Sequence, residues 1–109
     1  MEFINRVELQ GIVGSQRSYQ TGAATMHQFN MAMNRIYRTD DGMAVVETTW
    51  VCCLAEESRM SGPDDVRKGN KVHLVGRLRQ HRFTTETGED RYGYEVLVDQ
   101  LEKIDDHEG

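Results

Sequence analysis

Proline and cysteine are scarce in this sequence of 109 residues, which contains one proline and two cysteines. Cys52 and Cys53 are adjacent, and because neighbouring residues of a strand point to opposite faces, they are poorly placed to form a disulfide. The cysteines and the four scattered histidines show no spacing typical of metal ligands, so we expect no metal site and no cofactor. Reduced thiols of this kind are typical of a cytoplasmic protein.

Long apolar segments and catalytic signatures are also absent. No run of about 18 apolar residues occurs, so no membrane span is expected, and residues 1–6 lack the basic tip and apolar stretch of a signal peptide. No serine–histidine–aspartate or cysteine–histidine arrangement can be inferred from the spacings, and there is no glycine-rich phosphate loop. The sequence therefore predicts a protein that is not an enzyme and has no catalytic residues.

The formal net charge of −5 at pH 7 argues at first sight against a nucleic-acid partner. Much of this charge lies at the end of the sequence, where residues 99–109 contain five acidic residues and a single basic one, Lys103. Residues 1–98 are therefore close to neutral. Nucleic-acid binding depends on a local basic surface and not on the total charge, so the partner depends on where the arginines gather in the fold.

Period-2 alternation of apolar and polar residues between turn signals predicts five strands. Their approximate bounds are 5–13, 26–37, 45–54, 71–83 and 91–104. In the fourth strand the alternation places Val72, Leu74 and Leu78 together on the side that faces the core. In the fifth it places Tyr92 and Tyr94 on one side with two valines, as core, rim or interface residues.

Residues 55–67, between the third and fourth strands, are the one predicted helix, and Pro63 interrupts it because the residue before a proline is biased away from helix. Three strands, a short helical connection and two strands are the order of the OB-fold, a five-stranded Greek-key β-barrel whose open face binds nucleic acids or sugars. We expect an all-β chain with one OB-fold domain over residues 1–104 and a short acidic tail over 105–109.

The fourth strand carries the clearest candidate binding residues. If its apolar residues face the core, then Arg77, Arg79, His81 and Phe83 face outward together. Cations that follow phosphates beside an aromatic ring suit a single strand of nucleic acid. The alternative is a solvated strand face in which Phe83 closes the end of the core.

The sequence alone gives no single interpretation of the other aromatic residues. Trp50 lies in the third strand, where the two alternating sets of side chains are equally apolar, so its burial is undecided. Tyr37 lies beside Arg35 and Arg38 at the start of a turn, which makes it a poor core candidate. It could equally be an ordinary loop tyrosine.

Several motifs, in their shared order and spacing, resemble the bacterial single-stranded DNA-binding protein family over nearly the whole chain. The matching segments are residues 5–14, the Phe-Asn-Met-Ala of 29–32, the Thr-Thr-Trp of 48–50, the Lys-Gly turn and strand of 68–79, the Gly-Glu-Asp-Arg-Tyr of 88–92, and residues 95–98. The resemblance implies sequence-non-specific binding of single-stranded DNA by base stacking and phosphate contacts, in replication, recombination or repair.

The resemblance also implies which residues contact DNA. Stacking positions of the family match Trp50, Phe83 and Tyr37, where the last two stand in place of tryptophan, while a further stacking position falls near Glu56 and is lost. The implied phosphate contacts are Arg6, Arg35, Arg77, Arg79 and Arg82. The family further implies a homo-oligomer, with a tetramer favoured and a dimer as the alternative.

The end of the sequence departs from the family pattern. Typical members continue into a Gly/Pro/Gln-rich linker with an acidic tip ending in Pro-Phe, which recruits replication and repair proteins. The sequence ends at Gly109 after acidic residues without that apolar anchor, which puts recruitment of replication proteins in doubt. The alternatives that stay open are a dimer like primosomal replication protein N, an OB-fold protein-interaction module, and a small OB-fold nuclease.

Overall fold

Five long strands and two short 3-10 turns make up the computed structural model, which describes residues 1–105. The strands are β1 (Val7–Thr21), β2 (Ala24–Arg38), β3 (Ala44–Glu56), β4 (Lys71–Thr84) and β5 (Asp90–Lys103). Their order is β1-β2-β3-β5-β4, and β1 pairs with β4 to close the barrel. All neighbours are antiparallel except β3 and β5, which pair in parallel. The barrel confirms the all-β, five-stranded OB-fold expected from the strand order.

The connection between β3 and β4 is short and helical, as predicted within residues 55–67, but its helical turns are of the 3-10 type and not α-helical. The segment holds the end of β3 and two 3-10 turns, Glu57–Arg59 and Pro63–Val66. Pro63 begins the second turn, where its missing N–H costs nothing. Val66 is fully buried in the core cluster, so this turn covers the interior beside β2 and β5.

The core fills the barrel with alternate side chains of all five strands. It consists of Val13, Phe29, Met31, Cys53, Ala55, Val66, Val72, Leu74, Val96, Val98 and Leu101. Each large side chain of this kind stabilises the fold by roughly 1.5–3 kcal/mol when it leaves water. Within residues 1–105, no helical segment has the length or apolar character to cross a bilayer.

The β4–β5 hairpin extends beyond the core, and this changes the environment of residues that alternation assigned to the interior. Leu78 was expected to face the core but is 44% exposed. Tyr92 and Tyr94 lie on the same side of the hairpin as Leu78 and are 63% and 60% exposed. The alternation therefore predicts the side of the hairpin correctly, but the barrel ends before that side can be covered.

β1 is longer than its sequence pattern indicates, because it continues past residue 13 to Thr21. The register with β2 shifts between Val13 and Ser15, so Gly14 is the extra residue of a β-bulge. Beyond the bulge, β1 and β2 form a hairpin that turns at Gly22, whose φ of 60° favours glycine. This hairpin places polar side chains beside the outer face of β3.

Candidate nucleic-acid interface

Trp50 lies on the outside of the barrel with its ring exposed to solvent. It pairs with Ala32 on β2, and its side chain is 58% exposed, which settles the question that the sequence left open. A Cβ atom built on Gly14 would lie 2.5 Å from Cζ3 and 2.9 Å from Cη2 of Trp50, so the ring rests against the backbone of the bulge. The glycine supports one part of the indole and leaves the rest of the ring free for a ligand.

The bulge under Trp50 is held by an asparagine from the neighbouring strand. Asn30 Oδ1 accepts a hydrogen bond from the backbone N–H of Ser15 at 2.8 Å and one from Ser15 Oγ at 3.1 Å. The side chain thus satisfies the donor next to the inserted residue, which a bulge displaces from the regular ladder. The site around Trp50 is therefore built from β1, β2 and β3 together.

Tyr37 and Arg35 lie on the other side of the β2–β3 hairpin from Trp50. Tyr37 pairs with Val45 and Arg35 pairs with Glu47, whereas Trp50 belongs to the alternate set of residues on β3. The guanidinium carbon of Arg35 is 5.6 Å from the centroid of the Tyr37 ring, a cation–π contact, and Tyr37 is 39% exposed. The two aromatic rings therefore cannot form one flat row, and a strand that contacts both must pass around the hairpin.

Phe83 is positioned on one face of the exposed β4–β5 hairpin. Arg77, Arg79, His81 and Phe83 occupy alternate positions and share this face, as the alternation predicts. Phe83 is 45% exposed, and its ring centroid is 5.8 Å from that of His81. The cross-strand partner of His81 is Gly93, which has no side chain to cover either ring.

The arginines of this hairpin differ in how firmly they are engaged. The distance from Arg77 Nη1 to Asp99 Oδ1 is 3.7 Å, and that from Arg82 Nη1 to Asp90 Oδ2 is 3.8 Å. All four of these side chains are about half exposed or more, so the pairs contribute little and a phosphate can replace the carboxylate. Arg82 lies on the opposite face of the hairpin from Arg77.

Arg79 is bound more firmly than the other two arginines. Its Nε donates to Glu95 Oε1 at 3.0 Å and its Nη2 donates to the same oxygen. Glu95 is only 5% exposed, so the buried carboxylate needs its cation. The family resemblance implies a phosphate contact for Arg79, and in this structure its charge is largely offset by Glu95.

Arg6 precedes β1 at an exposed position next to the β4–β5 hairpin. Its neighbour Asn5 donates to the backbone oxygen of Leu78 at 2.8 Å and accepts from the N–H of Leu78 at 2.9 Å. These two bonds fix the start of the chain on β4. No ion pair engages Arg6 within the part of the chain that the structure describes, which leaves its charge available to an anion.

The sequence interpretation missed a basic and an aromatic residue on β1. Arg17 and Tyr19 are exposed on the β1–β2 hairpin, and the guanidinium carbon of Arg17 is 5.8 Å from the Tyr19 ring centroid. The sequence pattern predicts the first strand only to residue 13, so both residues lie outside the predicted strand. No apolar–polar alternation marks this part of β1, and the spacing of Arg17 and Tyr19 at i and i+2 is only compatible with one face of a strand.

No group of three or more histidine, cysteine, aspartate or glutamate side chains that could hold a metal ion occurs between residues 1 and 105.

The strand order and the exposed aromatic and arginine side chains place this chain among OB-fold proteins. A sequence model of the single-strand binding protein family matches residues 4–104. The chain belongs to this family.

Its curated relatives are distant in sequence and longer than this chain. It is 27% identical over 105 residues to a single-stranded DNA-binding protein of Xylella fastidiosa, covering 93% of this chain and 63% of that protein. It is 28% identical over 106 residues to one of Bacteroides thetaiotaomicron, covering 93% and 66%. The chain thus spans 63% and 66% of the lengths of these two relatives, in each case less than two thirds.

Two solved structures share the fold. An SSB of Plasmodium falciparum in complex with ssDNA has a TM-score of 0.80 at 20% identity, covering 96% of this chain and 98% of that chain. A deletion mutant of the single-stranded DNA binding protein from Thermus aquaticus has a TM-score of 0.72 at 14% identity, covering 94% and 51%. At these identities the likeness establishes the barrel and its strand order.

Proposed function

We propose that this protein binds single-stranded DNA without strong sequence preference, through base stacking and phosphate contacts. The observation that carries the proposal is Trp50, a large ring held on the outer face of the barrel against a glycine bulge and 58% exposed. An aromatic surface of this kind stacks on any base, because every base has a π face. The membership of the family supports the same function.

The arginines supply the second part of the interaction. Arg6, Arg77 and Arg82 are exposed, and each phosphate that they neutralise adds affinity that falls as salt rises. The net charge of −5 does not prevent this, because much of the acidic charge follows residue 98. Affinity therefore depends on the local charge of the hairpins.

Apart from Arg6, Arg77 and Arg82, the site residues proposed from the sequence divide into three groups. Trp50 and Phe83 have exposed rings and are the main stacking candidates. Tyr37 and Arg35 form a second patch on the other side of the β2–β3 hairpin, for a strand that wraps around it. Arg79 contributes only when a phosphate draws it away from Glu95.

In the cell, such binding would protect single strands during DNA replication, recombination or repair in the cytoplasm. The protein would act as a homo-oligomer, with a tetramer favoured over a dimer. Exposed apolar side chains, among them Ile12, Ile36 and Val46, support association because they gain stability when they leave water. Light scattering with and without oligo(dT) measures the mass of the assembly.

Fluorescence titration tests the proposal, because Trp50 is the one tryptophan of the chain. Adding oligo(dT) should quench its emission as bases stack on the ring. With labelled oligo(dT), Trp50→Ala should weaken binding by about 1–3 kcal/mol while the melting temperature stays close to that of the parent.

Phe83→Ala should weaken binding over the same range. Arg67→Ala is the control, because Arg67 forms an exposed ion pair with Asp64 beside the 3-10 turn. If the Trp50 variant instead lost about 3–5 kcal/mol of folding stability and bound normally, Trp50 would be a structural residue. Absence of both quenching and binding would favour a protein-interaction module.

A further inference from the structure

A cleft of about 250 Å³ lies next to Trp50, between the β1–β2 hairpin and β3. The side chains that matter for its chemistry are Ser15, Arg17, Gln28, Asn30 and Cys52. This volume far exceeds the roughly 10–15 Å³ that one water needs in the same measure, and it is large enough for one flat heterocycle. Nothing in the sequence interpretation pointed to this place.

Asn30 presents hydrogen-bond donors to the cleft. Its Oδ1 is occupied by the N–H and the hydroxyl of Ser15, and this fixes which end of the amide is the acceptor. The other end, Nδ2, carries two N–H donors and has no hydrogen-bond partner in the described part of the chain. The bulge on β1 therefore orients an unused donor group.

Gln28 repeats this arrangement two residues along the same face of β2. Its Oε1 accepts a hydrogen bond from Arg17 Nε at 2.7 Å, which leaves the Nε2 donors of the amide without a partner among residues 1–105. The Arg17 side chain also lies over Tyr19. Two amide groups on one strand thus have their oxygens bound and their donors available.

The cleft continues the surface of Trp50. Asn30 pairs with Cys52 on β3, and the next residues of the same face, Ala32 and Trp50, pair with each other. Two residues of a strand span about 6.8 Å. A strand of DNA that stacks on Trp50 can therefore reach the cleft with a neighbouring nucleotide.

We propose that this cleft is a subsite for one base of the bound strand, recognised through carbonyl oxygens such as O2 and O4 of thymine. This rests on the proposed single-strand binding. Amide donors match carbonyl acceptors, whereas the exocyclic group of adenine is itself a donor. Arg17 is the one charged residue that lines the cleft, and its Nε is already bonded to Gln28, which favours a base over a phosphate.

The substitution Asn30→Asp tests the subsite without removing the bond that holds the bulge. An aspartate keeps an oxygen for the Ser15 N–H but replaces the Nδ2 donors by a second acceptor, which repels a carbonyl. Gln28→Glu makes the same change and keeps an acceptor for Arg17.

Asn34→Asp is the matched control. Asn34 lies on the same face of β2, on the far side of Ala32, and its Oδ1 likewise accepts a hydrogen bond, from Thr48 Oγ1 at 2.8 Å. The control adds the same charge at the same distance along the strand from Ala32, but outside the cleft.

The measurement is the affinity of each variant for oligo(dT) and for a strand of equal length with abasic sugars at alternate positions. Asn30→Asp should weaken oligo(dT) binding about fivefold or more beyond Asn34→Asp, and the abasic strand should reduce that difference. The Gln28→Glu variant should behave as Asn30→Asp does, and melting curves should show all three variants folded.

Two results would overturn the subsite. Equal losses for Asn30→Asp and Asn34→Asp on oligo(dT) would show a general charge effect. A difference that persists in full on the abasic strand would show a phosphate contact. Failure of the parent protein to bind oligo(dT) would instead refute the proposed function itself.

Discussion

We expect Glu95 to compete with phosphate for Arg79, and the substitution Glu95→Gln removes the charge that holds the two residues together. The carboxylate is 5% exposed and accepts two hydrogen bonds from the guanidinium through one oxygen. A glutamine keeps an oxygen acceptor in the same place but removes the negative charge. We expect the variant to bind single-stranded DNA more tightly than the parent, because Arg79 gains a net positive charge.

The size of the effect follows from counter-ion release. One additional phosphate contact on a single strand should make the slope of log K against log salt more negative by about 0.7. If the variant and the parent bind equally at about 1 M salt, this change in slope makes the variant bind roughly fivefold more tightly than the parent at about 0.1 M salt. Folding stability should change little, because the loss of a charged hydrogen bond is offset by the removal of a buried charge.

Salt titrations of affinity for oligo(dT) measure both quantities. Glu89→Gln is the matched control, since Glu89 belongs to the same hairpin and forms an exposed ion pair with Arg91 at 2.9 Å. Adding Arg79→Ala to Glu95→Gln should abolish the gain. If Glu95→Gln and Glu89→Gln gave the same slope, Arg79 would have no place in the phosphate track.

Three further changes test other parts of the structure. Gly14→Ala should weaken DNA binding and shift the fluorescence of Trp50, because the new Cβ would lie 2.5 Å from the ring; unchanged emission would contradict this packing. Alkylation at pH 8 should modify the exposed Cys52 rapidly and the buried Cys53 only on unfolding. Burial, followed by the charges of Cys52 and Glu95, raises the pKa of Cys53 to about 12, so this thiol carries almost none of the reactive thiolate at pH 8. Equal rates of modification for the two thiols, measured by mass spectrometry, would disprove the difference. Deleting residues 105–109, most of which lie outside the described residues, should leave the melting temperature unchanged and affinity equal or slightly higher, and a large loss of stability would show that the segment is structural.

The strands were predictable wherever one face of the sheet is buried. In β4, the alternation of Val72 and Leu74 with polar residues reflects the barrel interior directly, and both side chains are fully buried. The pattern fails in the second half of β1, where Arg17 and Tyr19 are exposed on a hairpin open to solvent. Apolar–polar alternation does not predict the strand there, because neither of its faces is buried. Pairing with β2 alone maintains this part of β1.

The type of helix between β3 and β4 was not predictable for a related reason. Residues 55–67 are mostly polar and contain Pro63, so local propensity disfavours a strand but does not specify which other backbone conformation forms. The short span between β3 and β4 and the fit of Val66 into the core select 3-10 turns. Local propensity is a weak guide when tertiary packing decides the conformation.

The sequence by itself determined the order of the strands along the chain, the inner face of β4 and the family, because periodicity and motif spacing are properties of the chain alone. Only the tertiary structure decided that Trp50 is exposed, since both faces of β3 are equally apolar and the ring is placed by Gly14 on another strand. It also decided that Arg79 is bound by Glu95, and that Asn30 lines a cleft with its Oδ1 bonded to Ser15. These properties arise from contacts between residues far apart in the chain, so they can be inferred only when the pairing of the strands in the barrel is known.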